Sequence, residues 1–166
     1  MVTAMLECEA LLISGPFEGR LSGLKRDTIR QVKDLAAGTV LGRVRYRAKP
    51  LLAAWRATEL LRVEEGADLS DLCQVRQLPW WEAAAIVVDA EGHAVARWRD
   101  PLLESPRDGW RATVKANGTS GRAWLGGAAI AEWGAEEGGI GLRFLGNTEG
   151  RPFVRMAVLA VVLMRT

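Results

Sequence analysis

The sequence predicts a mainly β (α+β) fold, an antiparallel β-barrel of repeated hairpins that encloses a hydrophobic C-terminal helix. One observation is a long apolar run at residues 152–164, which only Arg155 interrupts. The other is that the preceding chain alternates short strand-like segments with turn residues, a pattern typical of closed antiparallel sheets. The 18 glycines suit such turns, and the 7 tryptophans supply large core side chains.

The apolar run predicts a helix, because about a dozen apolar residues are long for a strand. Pro152 suits a first helical turn, where the amide that proline lacks would have no intrahelical partner. A helix that is apolar on every side must be buried on every side. This one reaches about 18 Å, against about 30 Å for a bilayer core, so we expect it inside protein. Its valines favour a buried central strand as the alternative.

Length and composition limit the possible classes of protein. At 166 residues, about half of them apolar, residues 1–166 are expected to form a single domain with a sizeable core. A net charge of +2 gives no reason to expect nucleic acid. Cys8 and Cys73 show neither a disulfide framework nor zinc spacing, and the first residues do not resemble a signal peptide. We therefore expect a cytoplasmic protein with free thiols and no transmembrane span.

The chain before the helix predicts a series of hairpins. Residues 6–13 are the first expected strand, and residues 28–33 and 39–49 are a hairpin around a turn at 34–38. This pattern recurs at residues 84–99, with Asp89 in the place of Asp34. Looser copies cover residues 112–124 and 128–144. Chance similarity among short strands is the alternative to a true repeat.

Three further stretches complete the prediction. Residues 51–63 favour a helix slightly over a strand pair, since Pro50 precedes Leu51, Leu52, Trp55 and Leu60, which could share one face. Residues 72–78 predict a strand that Pro79 ends. Residues 101–109 predict a surface loop, because Pro101, Pro106 and Gly109 oppose regular structure.

The hairpins of the form apolar–Asp–x–x–Gly–apolar–Arg and the wholly apolar closing segment resemble the tubby C-terminal-like superfamily. That group includes LURP-one-related proteins and phospholipid scramblases. Val32-Lys33-Asp34 to Arg45, residues 85–99 and residues 152–164 carry the resemblance. It implies a twelve-stranded barrel threaded by its last helix, and a surface that binds anionic lipid headgroups. A calcium-dependent scramblase activity is not expected, because residues 68–71 offer too few oxygen ligands.

The candidate lipid-binding surface is a row of cations at Arg43, Arg45, Arg47 and Lys49. Alternate residues of a strand share a face, so all four should project outward while Val44, Tyr46 and Ala48 face the core. Each cation would contribute about 1 kcal/mol near an anionic membrane. Arg97 and Arg99 would extend the row if their hairpin is a neighbour. The alternative is the ordinary charged outer face of a barrel.

Other chemistry-bearing residues predict no catalytic, metal or cofactor site. His93, the single histidine, should be a solvated turn residue, and the two cysteines should be buried small apolar residues. The tryptophans, notably Trp80, Trp81, Trp98 and Trp124, should lie mostly in the core, although an exposed Trp80–Trp81 pair would suit a membrane interface. Arg155 is expected near a barrel mouth with its head reaching solvent; if buried, it needs carboxylate or carbonyl partners.

The sequence therefore predicts a non-enzymatic binding module that recognises anionic phospholipid headgroups, located in the cytoplasm or at the membrane surface. The alternative is a protein-interaction or structural scaffold with an unidentified protein partner and no lipid role. An enzyme that holds a small ligand in the barrel mouth is the least favoured reading.

Overall fold

The computed structural model describes residues 4–15, 28–47 and 56–166 of the chain. Twelve antiparallel strands form a closed barrel, and a helix lies inside it, which confirms the predicted fold class. The strands are β1 (Ala10–Ser14), β2 (Thr28–Asp34), β3 (Val40–Tyr46), β4 (Thr58–Glu65), β5 (Ser70–Gln77), β6 (Ala85–Asp89), β7 (Ala94–Arg99), β8 (Leu102–Glu104), β9 (Arg111–Asn117), β10 (Ser120–Leu125), β11 (Ala128–Glu136) and β12 (Gly139–Phe144). The helices are α1 (Ala4–Glu7) and α2 (Pro152–Arg165).

Strand order in the barrel follows the chain. Each strand pairs with the next one, and β1 closes the sheet against β12, with Ala10 opposite Arg143 and Ser14 opposite Gly139. Closure leaves no free sheet edge among these strands. The wall therefore satisfies its main-chain hydrogen bonds internally, and its inner face is free to pack on a central element.

The central element is α2. Pro152 is its first residue, and every residue from Val154 to Leu163 is buried. Inward side chains of the wall, such as Leu11, Val44 and Leu142, belong to the same core. The apolar run is thus a helix and not a central strand. We call the end of the barrel where α2 begins the upper mouth, and the end where α2 finishes the lower mouth.

Matching aspartates shape two hairpin turns of the predicted repeat. Asp34 Oδ1 accepts hydrogen bonds from the amides of Ala36 and Ala37, at 2.8 and 3.0 Å. Asp89 Oδ1 accepts from the amides of Glu91 and His93, at 3.1 and 2.8 Å. The copies at 112–124 and 128–144 are also hairpins, formed by β9 with β10 and by β11 with β12.

The first predicted strand is displaced. Residues 6–13 do not form one strand, because α1 ends at Glu7 and β1 begins only at Ala10. Met5 and Leu6 are buried in the core, and a helical turn places both there. The start of the chain therefore packs against the barrel before it joins the wall.

Two predictions of local structure were wrong. Within residues 51–63, the described part from Thr58 belongs to strand β4, as in the strand alternative, and not to the favoured helix, while 51–55 lie outside the described residues. Leu61 and Val63 point inward between β3 and β5, which a strand allows. Residues 101–109 are not wholly a loop, because β8 pairs with β7 and β9 and buries Leu103.

Candidate binding surfaces

Two members of the predicted row of cations, Arg43 and Arg45, lie on β3 with the predicted outward orientation. Val44 is fully buried and the Tyr46 ring lies at the lower mouth, while Arg43 and Arg45 project from the outer face. Arg47 follows directly after the strand. Lys49 lies outside the described residues.

Carboxylates of β4 accompany this row. The Arg43 guanidinium contacts Glu64 directly, and Arg45 Nη2 lies 3.5 Å from the other oxygen of the same carboxylate. Arg47 Nε lies 2.9 Å from Glu59 Oε2. Since the Glu64 side chain is only 8% exposed, it holds these guanidiniums close to the wall. The row is therefore largely neutralised by its neighbouring strand.

The ion pairs continue across β4 to the next strand. Arg62 Nε lies 2.7 Å from Glu59 Oε1, and Arg62 Nη1 lies 3.1 Å from Asp71 Oδ2. The hydrogen bond to Glu59 raises the pKa of the Arg62 guanidinium above its usual range. This alternation of charges matches an ordinary solvated barrel face.

Arg97 and Arg99 do not extend the row, because β4, β5 and β6 separate β7 from β3. They bind a short 3₁₀ turn at Trp80–Glu82 instead. Arg97 Nη2 lies 2.7 Å from Glu82 Oε2, and Arg99 Nη2 donates to the Glu82 carbonyl at 3.0 Å. Both arginines thus position the turn between β5 and β6.

This tryptophan turn projects from the lower mouth. Trp80 is 64% exposed and Trp81 is 56% exposed, with their rings edge to face at 5.9 Å between centroids. The expectation that these two lie in the core was wrong, whereas Trp98 is buried as predicted. Pro79 ends the inward alternation of β5, and Ala83 adopts a left-handed conformation with φ of 46°, so the turn leaves the wall.

A groove of about 690 Å³ lies beside the tryptophan turn. Its apolar lining includes Leu60, Leu78, Trp80 and Met164. Tyr46 separates this groove from the barrel interior, because its hydroxyl donates to the Leu163 carbonyl at 2.9 Å. Burial raises the pKa of Tyr46, so this hydroxyl keeps its proton at neutral pH.

The two cysteines are protonated thiols at neutral pH. Burial, with a hydrogen bond to Asp34, raises the pKa of Cys8 to about 11, and burial raises the pKa of Cys73 to about 12. Cys73 is buried as predicted, but Cys8 is only partly buried, since it lies between α1 and β1. Neither thiol is activated as a nucleophile.

His93 is exposed in its turn, as predicted. Asp89, Glu91 and His93 bring one possible metal-ligating atom each within 4.8 Å of one another. However, Asp89 Oδ1 already accepts the two amide hydrogens of the turn, and its Oδ2 lies 3.5 Å from His93 Nδ1. The hydrogen bonds that shape the hairpin turn are therefore enough to explain why these three side chains lie close together.

Arg155 lies near a barrel mouth, as expected, but the residue is buried instead of extending into solvent. Its side chain lies inside the upper mouth, where the residue is only 8% exposed. Nε donates to Thr148 Oγ1 at 3.0 Å, and Nη1 donates to the carbonyls of Leu6 and Cys8 at 2.7 and 3.2 Å. Carbonyl groups of α1 and the segment after it therefore replace solvent as its partners.

Comparisons of the chain with protein-family models, curated proteins and solved structures find no match. The architecture implied by the tubby-like resemblance is the one observed, while membership of that superfamily stays a prediction. No helix in the described part of the chain is long and apolar enough to cross a membrane.

Proposed function

We propose that the protein is a non-enzymatic binding module that docks its lower mouth on an anionic phospholipid surface. The observation that carries this proposal is the adjacent, mostly exposed pair Trp80 and Trp81. Indole rings favour the interfacial layer of a membrane, where one side is apolar and the other is wet. A turn that presents two of them outside the core suits shallow insertion into that layer.

The charges around the tryptophan turn support an anionic surface as the target. Arg99 bonds to a main-chain carbonyl, so its charge is not cancelled at that contact. Arg165 lines the groove next to Trp80 and has Asp100 at 3.6 Å, with both side chains substantially exposed. A cation such as Arg99 contributes about 1 kcal/mol of attraction near anionic lipid, whereas Asp100 offsets part of the Arg165 charge.

We assign the row on β3 a lesser part in the same binding. Lipid phosphates would have to displace Glu64 from Arg43 and Arg45, and Glu59 from Arg47, before contacting those guanidiniums. The row then adds attraction without forming the primary contact. The sequence prediction placed Lys49, Arg97 and Arg99 in the same lipid-binding set as the β3 arginines. In this proposal, Arg97 and Arg99 act by holding the tryptophan turn.

The groove beside Trp80 favours a second function, recognition of an apolar protein segment. Its lining by Leu60, Leu78 and Met164 offers contact area that a flat membrane would leave unused. Apolar surface of this kind marks protein interfaces as well as lipid contacts. A scaffold or protein-interaction role is therefore the alternative that the test must distinguish from lipid binding.

The test is co-sedimentation with vesicles of phosphatidylcholine alone and vesicles that also contain phosphatidylserine, at low and physiological salt. We expect the wild-type chain to bind the anionic vesicles and the Trp80→Ser/Trp81→Ser variant to bind at least about tenfold more weakly, a loss of about 1.4 kcal/mol. Val40→Ser is the matched control, because Val40 is 57% exposed but begins β3 at the upper mouth.

The variant Arg43→Glu/Arg45→Glu separates the two lipid surfaces. Retained binding in this variant supports the tryptophan turn as the primary contact. Loss of binding here, with binding preserved in the tryptophan variant, would move the site back to β3. Absence of binding to every vesicle would end the lipid proposal and leave the protein-interaction function.

A further inference from the structure

The upper mouth contains a buried cation with an incomplete set of partners. Arg155 lies one turn into α2, and its Cζ sits 5.0 Å from the centre of the Phe144 ring. Its Nε and Nη1 make the three hydrogen bonds to Thr148, Leu6 and Cys8 described above. Nη2 makes none with residues 4–15, 28–47 or 56–166.

No carboxylate in those same ranges forms an ion pair with Arg155. Carbonyl oxygens satisfy hydrogen bonds, but they do not balance a formal charge. A buried cation without a counter-ion is costly, so natural proteins usually pair such a group or bring it to a ligand. The first amides of α2 add positive potential nearby, since no side chain caps this end of the helix.

A cavity of about 490 Å³ opens next to this cation. Arg155, Phe144 and Thr148 line it from the barrel side. Three exposed carboxylates, those of Glu7, Glu9 and Glu149, lie on its outer side together with Arg151. In the described part of the chain these glutamates form no ion pair, so the cavity has a cationic floor and a rim on which three carboxylates outnumber one guanidinium.

We propose that this cavity binds a small zwitterion. Its anionic oxygen group accepts a hydrogen bond from Arg155 Nη2, and its ammonium group lies among the rim glutamates. A simple anion would be attracted by Arg155 and Arg151 but repelled by the three carboxylates. A simple cation would meet the rim but be repelled by Arg155 and by the helix end. Only a ligand that carries both charges matches both layers.

The two candidate sources share this chemistry but differ in their anionic group. An amino acid presents a carboxylate, and a phosphoethanolamine-type group presents a phosphate. The site lies at the mouth opposite the tryptophan turn, so it does not depend on membrane docking.

The test is isothermal titration of the full chain with β-alanine, phosphoethanolamine, propionate and ethylamine. We expect saturable binding of at least one zwitterion, and binding of propionate and ethylamine at least about tenfold weaker. The better zwitterion identifies the anionic group. Equal binding of propionate and β-alanine would overturn the role of the rim. Absence of heat with all four probes would overturn the site.

Single substitutions distinguish a loss of ligand binding at the rim from a loss of folding. Glu149→Gln should weaken zwitterion binding about tenfold while leaving the melting temperature of the free protein unchanged, because Glu149 is exposed. Glu91→Gln is the matched control, an exposed carboxylate on a turn at the same mouth but outside the cavity lining. Arg155→Met should abolish binding if it folds. Unchanged affinity in Glu149→Gln would refute the zwitterion, whatever Arg155→Met does.

Discussion

Truncation of Leu159 tests the central claim that α2 is enclosed by the wall. Leu159 lies near the middle of the helix, and none of its surface is exposed. Leu159→Ala removes three carbons, about 2.4 kcal/mol at about 0.8 kcal/mol each. A residual cavity of about 60 Å³ adds about 1.5 kcal/mol, because a closed wall cannot collapse onto the gap. We expect a loss of about 4 kcal/mol in the free energy of unfolding.

The assay is urea unfolding followed by tryptophan fluorescence, with both proteins fitted to the same dependence on denaturant. Met164→Ala is the matched control, since Met164 lies on the same helix but is only partly buried at the lower mouth. It should lose about 1 kcal/mol. If Leu159→Ala costs no more than Met164→Ala, the helix is not surrounded on every side, and the reasoning fails.

Three further outcomes follow from single contacts. Tyr46→Phe should lower the free energy of unfolding in urea by about 1–2 kcal/mol. It removes the hydroxyl that hydrogen-bonds to the Leu163 carbonyl and to Arg30. An unchanged urea midpoint would contradict this. Gly42→Ala should cost about 3 kcal/mol, since a Cβ there would clash with the Glu64 carbonyl oxygen. Gly15→Ala, with open space around it, should be near neutral in the same assay. The folded thiols hold their protons to about pH 11 for Cys8 and about pH 12 for Cys73, against an ordinary pKa of 9.0. Between these values the folded state binds more protons than the unfolded state, so stability should fall as the pH rises above about 9, and a Cys8→Ser/Cys73→Ala variant should lose part of that slope.

The sequence was most informative where burial and turn chemistry are local. An apolar run with no polar face predicts an enclosed helix, and α2 is one. Asp34 and Asp89 predict turns because a short carboxylate can accept from amides two or more residues ahead, and both do. These features depend on neighbours within a few positions, so the chain alone specifies them.

Sequence-based prediction failed in strands where the alternation of apolar and polar residues is interrupted. Strand β4 has register shifts between Glu59 and Leu61 and between Val63 and Glu64, so its apolar residues do not alternate cleanly. The helix prediction rests mainly on Leu51, Leu52 and Trp55, which lie outside the described residues, so only Leu60 of its expected face belongs to β4. Strand β8 is only three residues long and follows Pro101, so its turn residues dominate the local pattern.

The partners of charged groups could not be predicted, because they come from distant parts of the chain. The outward orientation of Arg43 and Arg45 was predicted correctly, but Glu59 and Glu64 reach the row only through the pairing of β3 with β4. Arg155 finds its carbonyls 149 and 147 residues earlier, in and after α1. Such contacts depend on barrel register, which hydrophobic pattern alone does not specify.

The position of α2 along the chain has a consequence for the order of folding. All twelve strands precede the helix in sequence, yet the inner faces of those strands pack on it. During synthesis, most strands of the wall therefore leave the ribosome before the residues that fill it. Its closing pair, β1 with β12, also joins segments far apart in the chain, which makes early closure slow. The apolar strands of a nascent chain stay exposed until α2 has been synthesised, and chaperones would be needed most during this interval.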